Sequence, residues 1–192
     1  MQEKAKGPHE FFHVLSEDEV HLKKNLVFSK RTGEMVGYVN LDPIEKELAE
    51  IDRLLEAKVD QVQVAPTARP PLADKLLCYM VQSVSKEVNI KSVVATFGTS
   101  NMTKESLYQK TWDVIAACEL ANVKIIALVC DGAGVNRGFI QMHTPVTVTE
   151  TGTVFDTINI FAADHRVLYF LTDPPHLLKT LRNCVHLSLI HI

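Results

Sequence analysis

A chain of 192 residues, 46% of them hydrophobic, is long enough to bury one sizeable core. Charged residues make up 22% and the formal net charge is -3, which excludes a low-hydrophobicity disordered chain and a strongly basic, self-sufficient duplex-binding module. No stretch reaches the roughly 20 apolar residues of a membrane span, Met1-Gln2-Glu3-Lys4 begins no apolar signal core, and Cys78, Cys118, Cys130 and Cys184 form no CxxC pair, so a soluble intracellular protein is expected.

Residues 1–10 are expected to be disordered. Residues 11–15 form an apolar run that meets Glu17, Asp18 and Glu19, as in a short strand ending in carboxylates. Runs at 26–29 and 35–39 flank Lys30-Arg31-Thr32-Gly33-Glu34, where Gly33 can supply the positive φ of a hairpin turn. Lys23, Lys24, Lys30 and Arg31 surround this hairpin, either as a solvated rim or as contacts to a phosphate backbone.

Asp42-Pro43-Ile44-Glu45 joins an N-cap acid, a proline suited to a first helical turn and a capping-box glutamate. Ile44, Leu48, Ile51 and Leu55 follow at helical spacing, predicting a helix to about residue 57. Pro66, Pro70 and Pro71 then mark a connector. Residues 76–84 and 92–97 read as buried strands. Thr103 starts a helix with Leu107, Thr111, Val114, Ile115, Cys118 and Ala121 along one face, and Asn122 ends it.

Residues 123–130 form a nearly unbroken apolar strand, and a helix feeding such a strand suits a parallel pair. The strand stops at Asp131-Gly132-Ala133-Gly134-Val135-Asn136, a polar turn at the strand end where α/β sheets usually place ligands. Residues 146–153 suit a hairpin or an edge strand. A short buried strand at 167–171 ends at Asp173-Pro174-Pro175-His176, and residues 177–184 read as helical.

Acids at the ends of neighbouring strands can converge on divalent cations, and hard oxygen ligands favour magnesium or manganese. Four segments carry a family resemblance: Glu17-Asp18-Glu19-Val20, Thr32-Gly33-Glu34-Met35-Val36-Gly37-Tyr38-Val39, the turn from Asp131 to Asn136, and Asp173-Pro174-Pro175-His176-Leu177-Leu178-Lys179-Thr180-Leu181-Arg182-Asn183. In this order the chain resembles P element-type DNA transposases and their THAP-domain relatives, from about Phe12 to Val185.

The resemblance implies an α/β, RNase H-like mixed sheet with flanking helices, C-terminally truncated, spanning residues 11–186. It implies that Asp18 and Asp131 are catalytic metal ligands for Mg2+ or Mn2+. Val20 departs from the family's methionine after the first aspartate. Glu17 and Glu19 rank behind Asp18, since alternation puts them on the other face if the strand continues. Asn136 either positions a phosphate or the metal shell, or is structural.

Asp173 and Lys179, with His176, lie where a GTP-binding insertion begins in the family. They are candidates for nucleotide or DNA contact, or else a helix cap and an outer-face lysine. The resemblance implies that the intact parent acts on the DNA of transposon ends, in the nucleus and without a membrane, with GTP and a homo-oligomer as further expectations.

The family's last catalytic acid belongs on a later helix, and no acid follows Asp173 here, so the chain alone is expected to be inactive. Leu187-Ser188-Leu189-Ile190-His191-Ile192 matches one reading frame of a common sequencing adapter, and residues 187–192 are expected to be a non-native tail rather than a genuine apolar one. The alternative function is a domesticated, non-catalytic module that binds protein or nucleic acid with the same fold. An RNase H-like nuclease without transposition would need the late acid.

Overall fold

A computed structural model describes residues 12–31, 33–40, 71–85, 89–145, 147–149, 152–153 and 155–190. The helix expected at 42–57 and the N-terminal residues 1–10 lie outside this set. The chain divides into two compact units, the first formed by Met1–Asp18, Cys78–Ala95 and Thr103–Ile192, the second by Glu19–Leu77 and Thr96–Met102. The division passes through strands β1 (Phe12–His21), β4 (Lys75–Ser83) and β5 (Lys91–Thr99).

The first unit is built on a six-stranded mixed sheet, completed by β6 (Lys124–Cys130), β9 (Asp156–Ile158) and β10 (Val167–Thr172), in the order β5-β4-β1-β6-β10-β9. Strand β6 lies between β1 and β10 and runs parallel to both, while β9 pairs antiparallel with β10. This central place explains the apolar sequence of β6, whose Ile125, Ala127, Leu128 and Cys130 are buried. A small separate ribbon pairs β7 (Val148–Thr149) with β8 (Gly152–Thr153), where the sequence suggested a hairpin.

Helix α1 (Lys104–Leu120) packs against β6 and against α2 (Gly134–Gln141). Thr103 caps α1 by accepting from the Ser106 N–H at 3.2 Å, which satisfies a donor that the first turn leaves orphaned. Five of the six residues read as one face, Leu107, Thr111, Val114, Ile115 and Cys118, are buried; Ala121 is exposed. Thr111 also shares a 2.8 Å hydrogen bond with the Tyr79 hydroxyl, so the buried phenol is paired. Leu15, Leu128, Leu168 and Phe170 join Tyr79, Leu107, Ile115 and Phe139 in the core.

At the C-terminal end of the described residues, α3 (Pro174–Ile190) starts earlier than the leucine-rich run suggests. Prolines fit a first turn because no N–H is needed there, and Leu177 N–H reaches the Asp173 carbonyl at 3.1 Å to open the helix. Residues 187–190 continue this helix.

The second unit contains an antiparallel ribbon of β2 (Val27–Ser29) and β3 (Glu34–Val36), closed by Gly33 at φ +74°. Its base is pinned by backbone bonds from Ala73 N–H to the Gly37 carbonyl and from Val39 N–H to the Pro71 carbonyl. In the same unit Glu19 accepts from Lys75 Nζ at 2.9 Å and from the Thr99 hydroxyl at 3.0 Å. Those partners let β1 continue through its acidic stretch to His21 instead of ending before it.

Candidate metal centre

Paired residues on adjacent strands point to the same face of a sheet. The β1/β6 register sets Leu15 beside Leu128 and Ser16 beside Val129, and two residues further along each strand stand Asp18 and Asp131. The β10/β6 register sets Thr172 beside Cys130, and the next residue on each is Asp173 and Asp131. Asp173 N–H extends that ladder with a 2.9 Å bond to the Cys130 carbonyl. Three aspartates therefore occupy one level on three neighbouring parallel strands, Asp131 and Asp173 just past the ends of β6 and β10 and Asp18 within β1.

They line an open cleft of about 220 Å³ within the first unit, together with Ser16, Glu17, Met80, Val129 and His176. Asp18 is exposed, Asp131 and Asp173 half-buried. The cleft lies at the end of the sheet face opposite α1 and α2, where Tyr169 and Leu171 are exposed.

Asp131 is held by its own turn. Its Oδ1 accepts the Ala133 N–H at 2.8 Å, and Asn136 Nδ2 donates to the same oxygen at 2.7 Å. Arg137 Nη1 ties the turn down through the Gly132 carbonyl at 2.9 Å. The cap position of α2 belongs to Ala133, so Asp131 is a turn-former two residues before it and not the helix cap. Asn136, left open between two roles by its sequence position, is buried and acts on the orientation of Asp131.

At the neighbouring strand end, His176 Nδ1 lies 2.6 Å from Asp173 Oδ2. These contacts leave Oδ2 of Asp131 and Oδ1 of Asp173 outside the bonds described. Both atoms are hard oxygen donors, as Mg2+ or Mn2+ requires. The donor set fits such an ion, although among the described residues no group of three His, Cys, Asp or Glu forms a ready metal cage.

Glu17 is buried and alternates away from Asp18 along β1, at the level of Cys130. The Cys130 thiol is pushed up to about 12, first by burial and then by the negative charges of Glu17 and Asp131. It is a small apolar filler rather than a nucleophile. Lys179 is exposed on α3 and does not line the cleft, so the structure brings Asp173 to the site without it. His176, read in the sequence beside Asp173 and Lys179, lines the cleft; its signal is the three-residue step from Asp173 across a helix start.

No curated protein matches the chain. Among solved structures, a "Drosophila P element transposase strand transfer complex" shares the fold, with a TM-score of 0.56 and 16% sequence identity. The match covers 93% of this chain and 30% of that one. Like it, the chain has the RNase H-like arrangement of a mixed sheet with flanking helices. The family model described as "TNP-like, RNase H N-terminal domain" matches residues 1–143. The chain belongs to this family of TNP-like RNase H N-terminal domains.

Proposed function

We propose that Asp18 and Asp131 are two of the metal-ligating acids of a DNA transposase catalytic domain, whose intact parent cleaves DNA and transfers strands in the nucleus. The reading is carried by one observation: both carboxylates stand at one level on one sheet face and line one cleft. A divalent cation held there supplies Lewis-acid activation of a water or a 3′ hydroxyl and neutralises charge at the leaving oxygen.

The chain's own residues then have distinct tasks. Asn136 and the Ala133 N–H both bond Oδ1 of Asp131 and so restrain its rotamer, leaving Oδ2 for an ion. Asp173 and His176, paired at 2.6 Å, put a hydrogen-bonding group for a phosphate on the cleft wall. The remaining acid comes from a segment of the parent outside this chain, in keeping with a relative of which the chain matches 30%. GTP, paired transposon ends and a homo-oligomer belong to the parent on this reading.

The test is Mn2+ binding to the full chain, followed by paramagnetic broadening of backbone amide signals. Broadening centred on Asp18 and Asp131, and lost in Asp18→Asn and Asp131→Asn, supports the site. Broadening that persists unchanged in both variants refutes it. It would leave the non-catalytic binding module.

A further inference from the structure

Between Leu22 and Gly33 the sequence holds four cations, Lys23, Lys24, Lys30 and Arg31, and no acid, in a chain of formal net charge -3. All four side chains are exposed. Asp74 compensates Lys24 at 3.2 Å, but among the described residues no carboxylate pairs with Lys23, Lys30 or Arg31. Positive charge is thus concentrated on one small element of an acidic chain.

Lys30 and Arg31 lie in the turn of the β2/β3 ribbon, Lys23 and Lys24 in the segment that leads into it, and the ribbon is exposed on both faces. Val27 and Val36 are cross-strand partners at 57% and 47% exposure, and Phe28, on the other face, is 58% exposed. Three large apolar groups in water at the sides of a basic turn cost solvation and serve no core.

The ribbon is also braced. Gly37 sits at φ +123°, and a Cβ there would lie 2.2 Å from the Asn25 carbonyl oxygen, so the two limbs touch backbone to backbone at the base. Gly33 N–H closes the turn onto the Ser29 carbonyl at 2.8 Å. A braced ribbon presents its tip with little ordering cost on binding.

We infer that the β2/β3 ribbon is a DNA-docking element, with Lys30 and Arg31 of its turn and Lys23 in the segment before it on phosphates, and Phe28 against sugars and base edges. A two-stranded ribbon fits the major groove of B-form DNA, and cation-to-phosphate contacts need no particular sequence. The inference deepens the transposase reading and rests on it for the class of partner. It gives the chain a grip on DNA separate from the aspartate cleft.

The test is fluorescence anisotropy of the full chain with a labelled duplex of about 20 base pairs across a salt series. Lys30→Glu combined with Arg31→Glu is expected to weaken binding at least tenfold and to flatten the slope of log affinity against log salt by about two. Phe28→Ala is expected to weaken binding with the slope unchanged. Both variants should keep the wild-type Mn2+ response and melting temperature, because the altered side chains are exposed.

Equal affinity and slope in wild type and double-charge variant overturn the ribbon, whatever the metal result. So does a wild-type chain that binds no duplex at low salt, or one that binds phosphatidylserine vesicles instead. Loss of Mn2+ binding at Asp18 and Asp131 with DNA binding intact would sink the catalytic reading alone.

Discussion

Asn136 reaches back across the first turn of α2 to hold Asp131, its Nδ2 donating to Oδ1 at 2.7 Å and lying 3.5 Å from the Asp131 carbonyl oxygen. A bond to a carboxylate is worth about 1.5 to 3 kcal/mol, and groups that orient a metal ligand typically change metal affinity 10- to 100-fold when removed. Asn136→Ala is therefore expected to lower Mn2+ affinity about tenfold while leaving weak binding, because the Ala133 N–H still anchors the same oxygen. Isothermal titration of the variant against wild type reads this directly. Unchanged affinity would make Asn136 a purely structural helix residue.

At the start of β6, Glu119 and Arg166 form a buried pair with side-chain exposures of 7% and 12%. Glu119 Oε1 also accepts from Ile125 N–H and from Asn159 Nδ2, both at 2.9 Å, while Arg166 Nε donates to the Ile125 carbonyl at 3.2 Å. One carboxylate thus joins the end of α1, the first residues of β6 and the β9/β10 turn. Glu119→Ala leaves Arg166 with Asp164, an exposed carboxylate at 2.5 Å, but strands the Ile125 N–H and the Asn159 amide and removes the buried half of the pair, at about 3 kcal/mol. Glu119→Ala should lose that much in urea denaturation, and Glu119→Gln clearly less, since an amide oxygen can still accept. A loss under about 1 kcal/mol for Glu119→Ala would mean that water replaces the carboxylate at little cost.

What the sequence makes legible follows from how each signal is encoded. The apolar run of β6 and the capped face of α1 are local, repeated patterns, and both elements stand within a residue or two of where those patterns put them. Asp131 and Asp173, at the ends of β6 and β10, are equally visible. Helix α2 is hidden because Gly134 and Gly138 dilute a segment held by Phe139, which is buried under α1 and β10 residues far away in sequence. Strand β9 is three residues long and begins with the buried Asp156, whose Oδ1 takes the Thr147 N–H at 3.1 Å; a carboxylate that deep reads as a loop until its partner is seen. The continuation of β1 past Glu17 is likewise written in Lys75 and Thr99, not in β1 itself.

His143 offers a pH-dependent check on the packing of α2. Trp112 Nε1, which can only donate, bonds His143 Nε2 at 3.0 Å, so Nδ1 carries the proton shared with the Phe139 carbonyl at 3.0 Å. Around the imidazole stand the rings of Tyr108, Phe139 and Phe170, with centroids at 5.0, 4.8 and 4.8 Å. Burial lowers the His143 pKa below its ordinary value, against a smaller opposite push from the Phe139 and Ile140 backbone. The folded chain therefore binds this proton less readily than the unfolded chain, whose histidines titrate near 6.5. The sign follows: the contribution to stability is complete above about pH 6.5 and is lost as pH falls below it toward the depressed folded value. Protonation would also set two donors, the indole N–H and the new Nε2–H, against each other. Urea midpoints measured from pH 8 to about pH 5 should fall more steeply for wild type than for His143→Phe, which has no proton to gain. The variant should start from lower stability at pH 8, having lost the Trp112 bond. Parallel pH profiles would mean that the imidazole opens to water before it titrates, and that the aromatic cluster does not hold α2 in place.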